Sequence, residues 1–183
     1  MSQTAQADKK TDHTEAWLAE AAALRQRMVK GDVVPREKWR DLSIMEAFQA
    51  MLKGEVPPAP IGDLLDYIPV RFAPGEAVFQ GTPDPTHYNP MGTVHGGYIT
   101  TLLDSAMFCA VATLLPKGMA ATTLELKVNF SKAVTGGTGP VRAEGKAISV
   151  GRQIGIAEGR LVDARGNLLA FATTTCMIFP AAG

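Results

Sequence analysis

The sequence predicts an α+β domain in which a strongly curved antiparallel sheet wraps one long buried helix, and three observations predict it. From Tyr98 to Leu115 every residue is apolar, small or hydroxylic except Asp104, which suits a helix buried on most of its circumference. Four strand-like segments joined by short turns follow that stretch. Two more strands precede it, and the simplest packing of this order lays the sheet around the helix. The 183 residues, 46% hydrophobic and 20% charged, suffice for one core of ordinary size plus some extra length.

In chain order, Met1 to Asp12 is polar and expected to be disordered. Thr14 and Glu15 open an amphipathic helix with Trp17, Leu18, Ala21, Leu24 and Met28 on one side, Arg25, Arg27 and Lys30 solvated, and Gly31 at its end. Pro35 starts a short turn through Trp39. Ser43 followed by Glu46 matches a capping box for a second helix ending at Gly54, with Ile44, Ala47, Phe48, Met51 and Leu52 as its apolar set. Val56 to Pro60 is a proline-rich extended linker. The expected division is a polar tail and helical extension, 1–60, and a main domain, 61–183.

Asp66 to Phe72 and Glu76 to Gly81 read as two strands around Pro74 and Gly75, and the prolines at 83, 85 and 90 mark an irregular loop. That loop delivers Asn89. Beyond the long helix, Ala120 to Ser131 alternates, with Leu124, Leu126, Val128 and Phe130 on one face and Glu125, Lys127 and Asn129 on the other. Pro140 to Val150, Gln153 to Val162 and Leu168 to Phe179 complete the sheet, with turns at Gly151 and Arg152 and at Asp163 to Gly166.

Lys plus Arg equals Asp plus Glu at 18 each, so the charge balance does not point to nucleic acid or an anionic membrane as partner. Tyr98 to Leu115 approaches the length of a bilayer span, but Asp104, four hydroxylic residues and the terminating Pro116 argue against one. Met1 to Lys10 lacks the apolar core of a secretory signal, and a cytoplasmic protein is expected. Cys109 and Cys176 lie in apolar runs and read as buried thiols. His13 and His87 have no partner spacing, and there is no metal-ligand cluster, phosphate loop or nucleophilic Ser or Cys motif.

Asn89, Gly92, His95, Gly96 and Gly97, with Asp104 seven residues further on, resemble the active-site signature of hotdog-fold acyl-CoA thioesterases of the phenylacetate-pathway, PaaI-like branch. The resemblance covers roughly Leu64 to Phe179 and leaves Met1 to Ala59 outside. It implies the hotdog fold and hydrolysis of an acyl-CoA, with aryl-acyl groups such as phenylacetyl or hydroxybenzoyl among the expected substrates. No cofactor is implied, since CoA is part of the substrate. It also implies a homodimer with its sites across the interface, and a dimer of dimers is expected. By the same resemblance Asn89 positions the water or the thioester, and His95 sits near the carbonyl or sulfur. Thr123 aligns with a Ser or Thr that hydrogen-bonds the water, with Thr122 as the adjacent alternative. Gly151 and Arg152 occupy the place where related enzymes contact CoA.

The physical chemistry of these residues agrees. A helix start at Gly96 or Gly97 presents backbone N–H donors with the helix dipole behind them, and one oxyanion donor is worth on the order of 3 kcal/mol in a transition state. Asp104, the one charge on that helix, is a candidate general base or nucleophile. Eight residues of helix separate Gly96 from Asp104 by roughly 12 Å. Both act on one thioester only if they come from different subunits. Lys132 and Arg142 are candidates to reach a phosphate and equally read as solvated surface. Tyr98, Met107, Phe108 and Met119 are candidates to line an acyl pocket. His95 also reads as a residue that shapes the turn, and Gly96 and Gly97 as close-packing glycines. The competing functions are a non-catalytic acyl-CoA-binding module and, with a poorer local match, an enoyl-CoA hydratase.

Overall fold

In a computed structural model of the chain, the structure describes residues 11–34 and 42–181. The turn expected from Pro35 to Trp39 and nearly all of the polar start lie outside the described residues. The elements run α1 (Thr14–Arg27), α2 (Ile44–Lys53), α3 (Pro60–Leu64), β1 (Tyr67–Ala73), β2 (Glu76–Gly81), α4 (Gly96–Ala112), β3 (Met119–Phe130), β4 (Val141–Val150), β5 (Ile154–Asp163) and β6 (Leu168–Pro180). All six strands form one antiparallel sheet in the order β1-β2-β4-β5-β6-β3. α4 packs along its inner face. This is the α+β architecture expected, a hotdog fold with helices added at the N-terminal side.

Leu102, Leu103, Ala106, Met107, Ala110 and Val111 of α4 are buried against Val141, Ala143, Ala157, Leu161 and Ala170 of the sheet. Glycines on the sheet let the helix approach closely. A Cβ at Gly145 would lie 2.2 Å from the Ala106 carbonyl oxygen, and one at Gly159 would lie 2.8 Å from Met107 Cγ. The first neighbour is helix backbone, which cannot step aside. Gly145→Ala is therefore expected to destabilise the fold by about 1–3 kcal/mol or more, read from the urea midpoint at unchanged slope.

The N-terminal helices are docked by specific contacts. Ala21 and Leu24 of α1 cluster with Ile68, Val70 and Val78 of the sheet. Ser43 starts α2 through the expected capping box: its Oγ accepts from Glu46 N–H, and its own N–H donates to Glu46 Oε2 at 2.7 Å. Gly54 ends α2 at φ 79°, where a Cβ would collide with the Arg27 carbonyl. Ser43→Ala is expected to cost about 1 kcal/mol, seen as a lower Tm with the fold retained. α3 begins on Pro60, the last residue of the expected linker, where the sequence pattern marks no helix. Pro60 fits the first helical position because it has no N–H to lose there.

The sheet departs from the sequence pattern in two places. Asp66, expected to open β1, sits in the left-handed region at φ 50° and pairs with Arg25 of α1 at 2.8 Å, so Arg25 is not simply solvated. β3 carries a bulge between Thr123 and Glu125, and Leu124, expected inside, is exposed. The extra residue shifts the alternation. Thr123 pairs with buried Cys176 and Leu126 with buried Thr174, so both lie on the inner side although they differ in parity. One sheet edge is covered: Gln49 of α2 donates to the Phe72 carbonyl of β1 at 3.2 Å. The other edge, the 12-residue β3, has no neighbour among the described residues.

Candidate active site

The loop before α4 is shaped by side chains. Asn89 Oδ1 accepts from Met91 N–H at 2.9 Å, Asn89 Nδ2 donates to Thr93 Oγ1 at 3.1 Å, and Gly92 closes the turn at φ 79°. His95 N–H donates to the His87 carbonyl at 2.7 Å. His95 is the N-cap of α4, its Nδ1 accepting from Gly97 N–H at 2.8 Å. A neutral imidazole that accepts at Nδ1 carries its proton on Nε2, which is then the ring's remaining donor.

That cap engages the Gly97 N–H, one of the two donors the sequence offers. Gly96 N–H has no acceptor among the described residues. Gly96 lines an open cavity of about 420 Å³ with Asn89, Ile99, Phe130 and Lys132. A Cβ on Gly96 would lie 3.1 Å from the Phe130 ring, so glycine keeps this helix start open beneath that ring. The pattern of a bare N–H at a helix N-terminus suits a carbonyl oxygen or an oxyanion.

Asp104 lies two turns further along α4 and lines a different cavity. Thr123 Oγ donates to Asp104 Oδ1 at 2.9 Å, and no bond is made to Oδ2 among the described residues. Thr123, not Thr122, is the partner, because the bulge turns Thr123 inward while Thr122 pairs with exposed Met177. The cavity beside Asp104 holds about 270 Å³ and is apolar and aromatic, with Tyr67, Phe79 and Phe108 in its walls. Among the described residues Asp104 is the one charged residue lining it. Ser105 adds a second polar group, its Oγ 3.1 Å from Tyr67 Oη. Burial raises the Tyr67 phenol, so it stays protonated and the hydroxyl pair keeps a hydrogen to donate.

The two cavities share no lining residue. The helix rise therefore separates Gly96 from Asp104 within one chain, as their spacing predicts. Cys109 also borders the Asp104 cavity, but burial pushes its thiol far above the usual range, which removes it as a nucleophile at neutral pH. Cys176, bonded by Thr123, is likewise raised by burial. Both thiols are free.

The remaining sequence candidates separate. Of the four residues expected to line an acyl pocket, Phe108 does so. Met107 is fully buried in the core, Met119 opens β3 away from the cavity lining, and the Tyr98 ring lies tilted against His87 with centroids 4.2 Å apart, its hydroxyl buried against Gly81 without a partner among the described residues. Arg142 departs furthest from expectation. Its guanidinium pairs with Glu20, donates to Gln80 Oε1 at 2.9 Å and lies 4.3 Å over the Trp17 ring. That engages it in the docking of α1. Gly151 and Arg152 form the exposed tip between β4 and β5, Gly151 N–H donating to Ile154 O at 2.8 Å. Neighbouring Gly155 packs on Val111, at the C-terminal end of α4, whereas Lys132 belongs to the Gly96 end. Tyr67, Ser105, Phe48 and Met51 were not singled out as site residues. Ser105, next to Asp104, carried the one usable signal.

Comparison with known proteins shows what this geometry is similar to. A family model described as the thioesterase superfamily matches residues 91–170. A Saccharolobus solfataricus protein provisionally named an esterase is 34% identical over 88 residues, which make up 48% of this chain and 57% of that protein. The chain spans about half the length of the curated relatives it matches. A structure from Ralstonia eutropha JMP134, provisionally named a thioesterase and described as phenylacetic acid degradation-related, superposes with a TM-score of 0.64 at 28% identity. It covers 71% of this chain and 98% of its own. A mutant of phenylacetic acid degradation protein PaaI from Thermus thermophilus superposes with a TM-score of 0.58 at 28% identity, covering 64% of this chain and 97% of its own. Over residues 91–170 the chain is similar to the thioesterase superfamily, and the superposed structures share its hotdog fold. It resembles the PaaI-like proteins in particular.

Proposed function

We propose that this protein hydrolyses an acyl-CoA thioester to the free acid and CoA. The observation that carries the reading is the Asp104 carboxylate, held by Thr123 through one oxygen beside an apolar cavity. Such a cavity suits an acyl group, and the second carboxylate oxygen is left to act. As general base it takes a proton from water, whose oxygen bonds to the thioester carbonyl carbon. The carbonyl oxygen becomes an oxyanion, the C–S bond breaks, and the sulfur leaves as CoA thiol once protonated. Asp104 as a nucleophile gives the same products through an anhydride that water then cleaves.

The oxyanion needs a donor, and Gly96 N–H is the one with the helix dipole behind it. Gly96 of one chain does not reach the carbonyl beside its own Asp104, so the reading requires a homodimer in which each site takes Gly96 from one subunit and Asp104 from its partner. The uncovered β3 edge supports that assembly, since an unpaired strand of this length is a template for a second strand. A dimer of dimers is compatible with it. In this arrangement Asn89 sets the turn that aims α4, His95 offers Nε2–H, and Lys132, Gly151 and Arg152 are the candidates for CoA contact. The reaction as written needs no added cofactor. Among the described residues no helix is long and apolar enough to cross a membrane, and the cytoplasm remains the proposed compartment.

The decisive experiment is a free-thiol assay over a panel of aryl and straight-chain acyl-CoAs. Release of CoA from at least one supports the reading. Tight binding with no cleavage of any would favour a binding module instead. Thr123→Ala is expected to lower kcat/KM by at least about tenfold while Thr123→Ser keeps most of it, since a hydrogen bond to a charged group is worth about 1.5–3 kcal/mol.

A further inference from the structure

Part of the wall of the Asp104 cavity comes from a segment that precedes the stretch matched by the thioesterase-superfamily model. Phe48 and Met51 of α2, Pro58 and Ala59 leading into α3, and Ile61 within α3 line it together with the sheet and α4. The family match starts at residue 91. The Ralstonia and Thermus structures are matched over 98% and 97% of their length yet account for 71% and 64% of this chain, so this chain carries elements beyond theirs.

The wall is held in several ways at once. The Phe48 ring stacks on Phe72 with centroids 4.5 Å apart and planes 19° apart, and Phe72 meets Phe79 edge-on at 5.8 Å. Gln49 fixes α2 to the β1 edge through the Phe72 carbonyl. The Ser43 capping box and the left-handed Gly54 define both ends of α2. Behind it, α1 is pinned by Arg142 through Glu20 and Trp17.

Resting on the thioester reading above, we infer that α2 and the approach to α3 form the end wall of the acyl cavity and set an upper limit on the acyl group. A dry cavity of about 150 Å³ accepts a benzene ring. The 270 Å³ beside Asp104 therefore holds one ring with a short spacer. Longer chains meet Phe48 and Met51.

The test uses CoA thioethers, which cannot be hydrolysed, so binding is read apart from catalysis. Calorimetry compares S-(2-phenylethyl)-CoA with S-dodecyl-CoA on the wild type, on Met51→Ala and on Ala59→Trp, with circular dichroism confirming that each variant is folded. Ala59 is exposed, which gives Trp room at the cavity wall without a core substitution. The expected result is that the wild type prefers the phenylethyl ligand by at least about tenfold. Met51→Ala should narrow that preference, and Ala59→Trp should weaken the phenylethyl ligand by a similar factor. Equal wild-type affinity for the two ligands overturns the inference, and so do two folded variants that both leave the ratio within about twofold. A preserved ratio with no thioester cleaved by the wild type sinks the hydrolase reading alone.

Discussion

Asp104→Asn lowers kcat/KM on a cleavable acyl-CoA by at least about a hundredfold and leaves the fold intact, the loss expected when a general base or nucleophile becomes a neutral amide. The amide keeps an oxygen to accept from Thr123 Oγ, so the α4–β3 contact survives and the loss reports chemistry rather than folding. Asp104→Ala leaves Thr123 without that acceptor and is expected to be at least as inactive. Turnover of Asp104→Asn near the wild-type rate, at matched melting temperature, would remove Asp104 from the mechanism.

The second large effect is a recovery. Asp104→Ala subunits are inactive by the same argument. Subunits carrying Asn89→Ala with Gly96→Val lose the turn, and the added side chain at the helix start meets the Phe130 ring. Mixed after reversible dissociation, the two inactive proteins should form heterodimers in about half of the population, each with one intact site of two, and so regain about a quarter of wild-type activity. Native mass spectrometry of tagged subunits verifies the exchange. Verified heterodimers with no activity would refute the site shared across subunits, while an active Asp104 within one chain would remain open to the first test.

Much of this fold was readable as pattern. The long segment with a single charge gave α4, and period-two alternation gave the later strands to within a residue or two at their ends. The Ser43 and Glu46 pair gave the start of α2. These are local signals, because helix and strand periodicity repeat within a few residues and caps act over one turn. The helix spacing of Gly96 and Asp104 was equally legible, and with it their separation.

What eluded the pattern depends on partners distant in sequence or on one-residue irregularities. Strict alternation would set Thr123 beside Glu125 on the outer face, and only the bulge at Leu124 brings it to Asp104. Arg142 looked like a free cation until α1, more than a hundred residues earlier, supplied Glu20 and Trp17. His95 reads equally as a cap or a catalytic group until its Nδ1 is seen accepting from Gly97. Nothing in the sequence around Phe48 said that α2 would close a cavity beside Asp104. By itself the sequence determined the helix, the strands and the chemistry-bearing residues, since each is written in short-range period and residue type. The tertiary structure decided which of those residues meet, because burial and hydrogen bonding assign partners only once the helices have docked on the sheet.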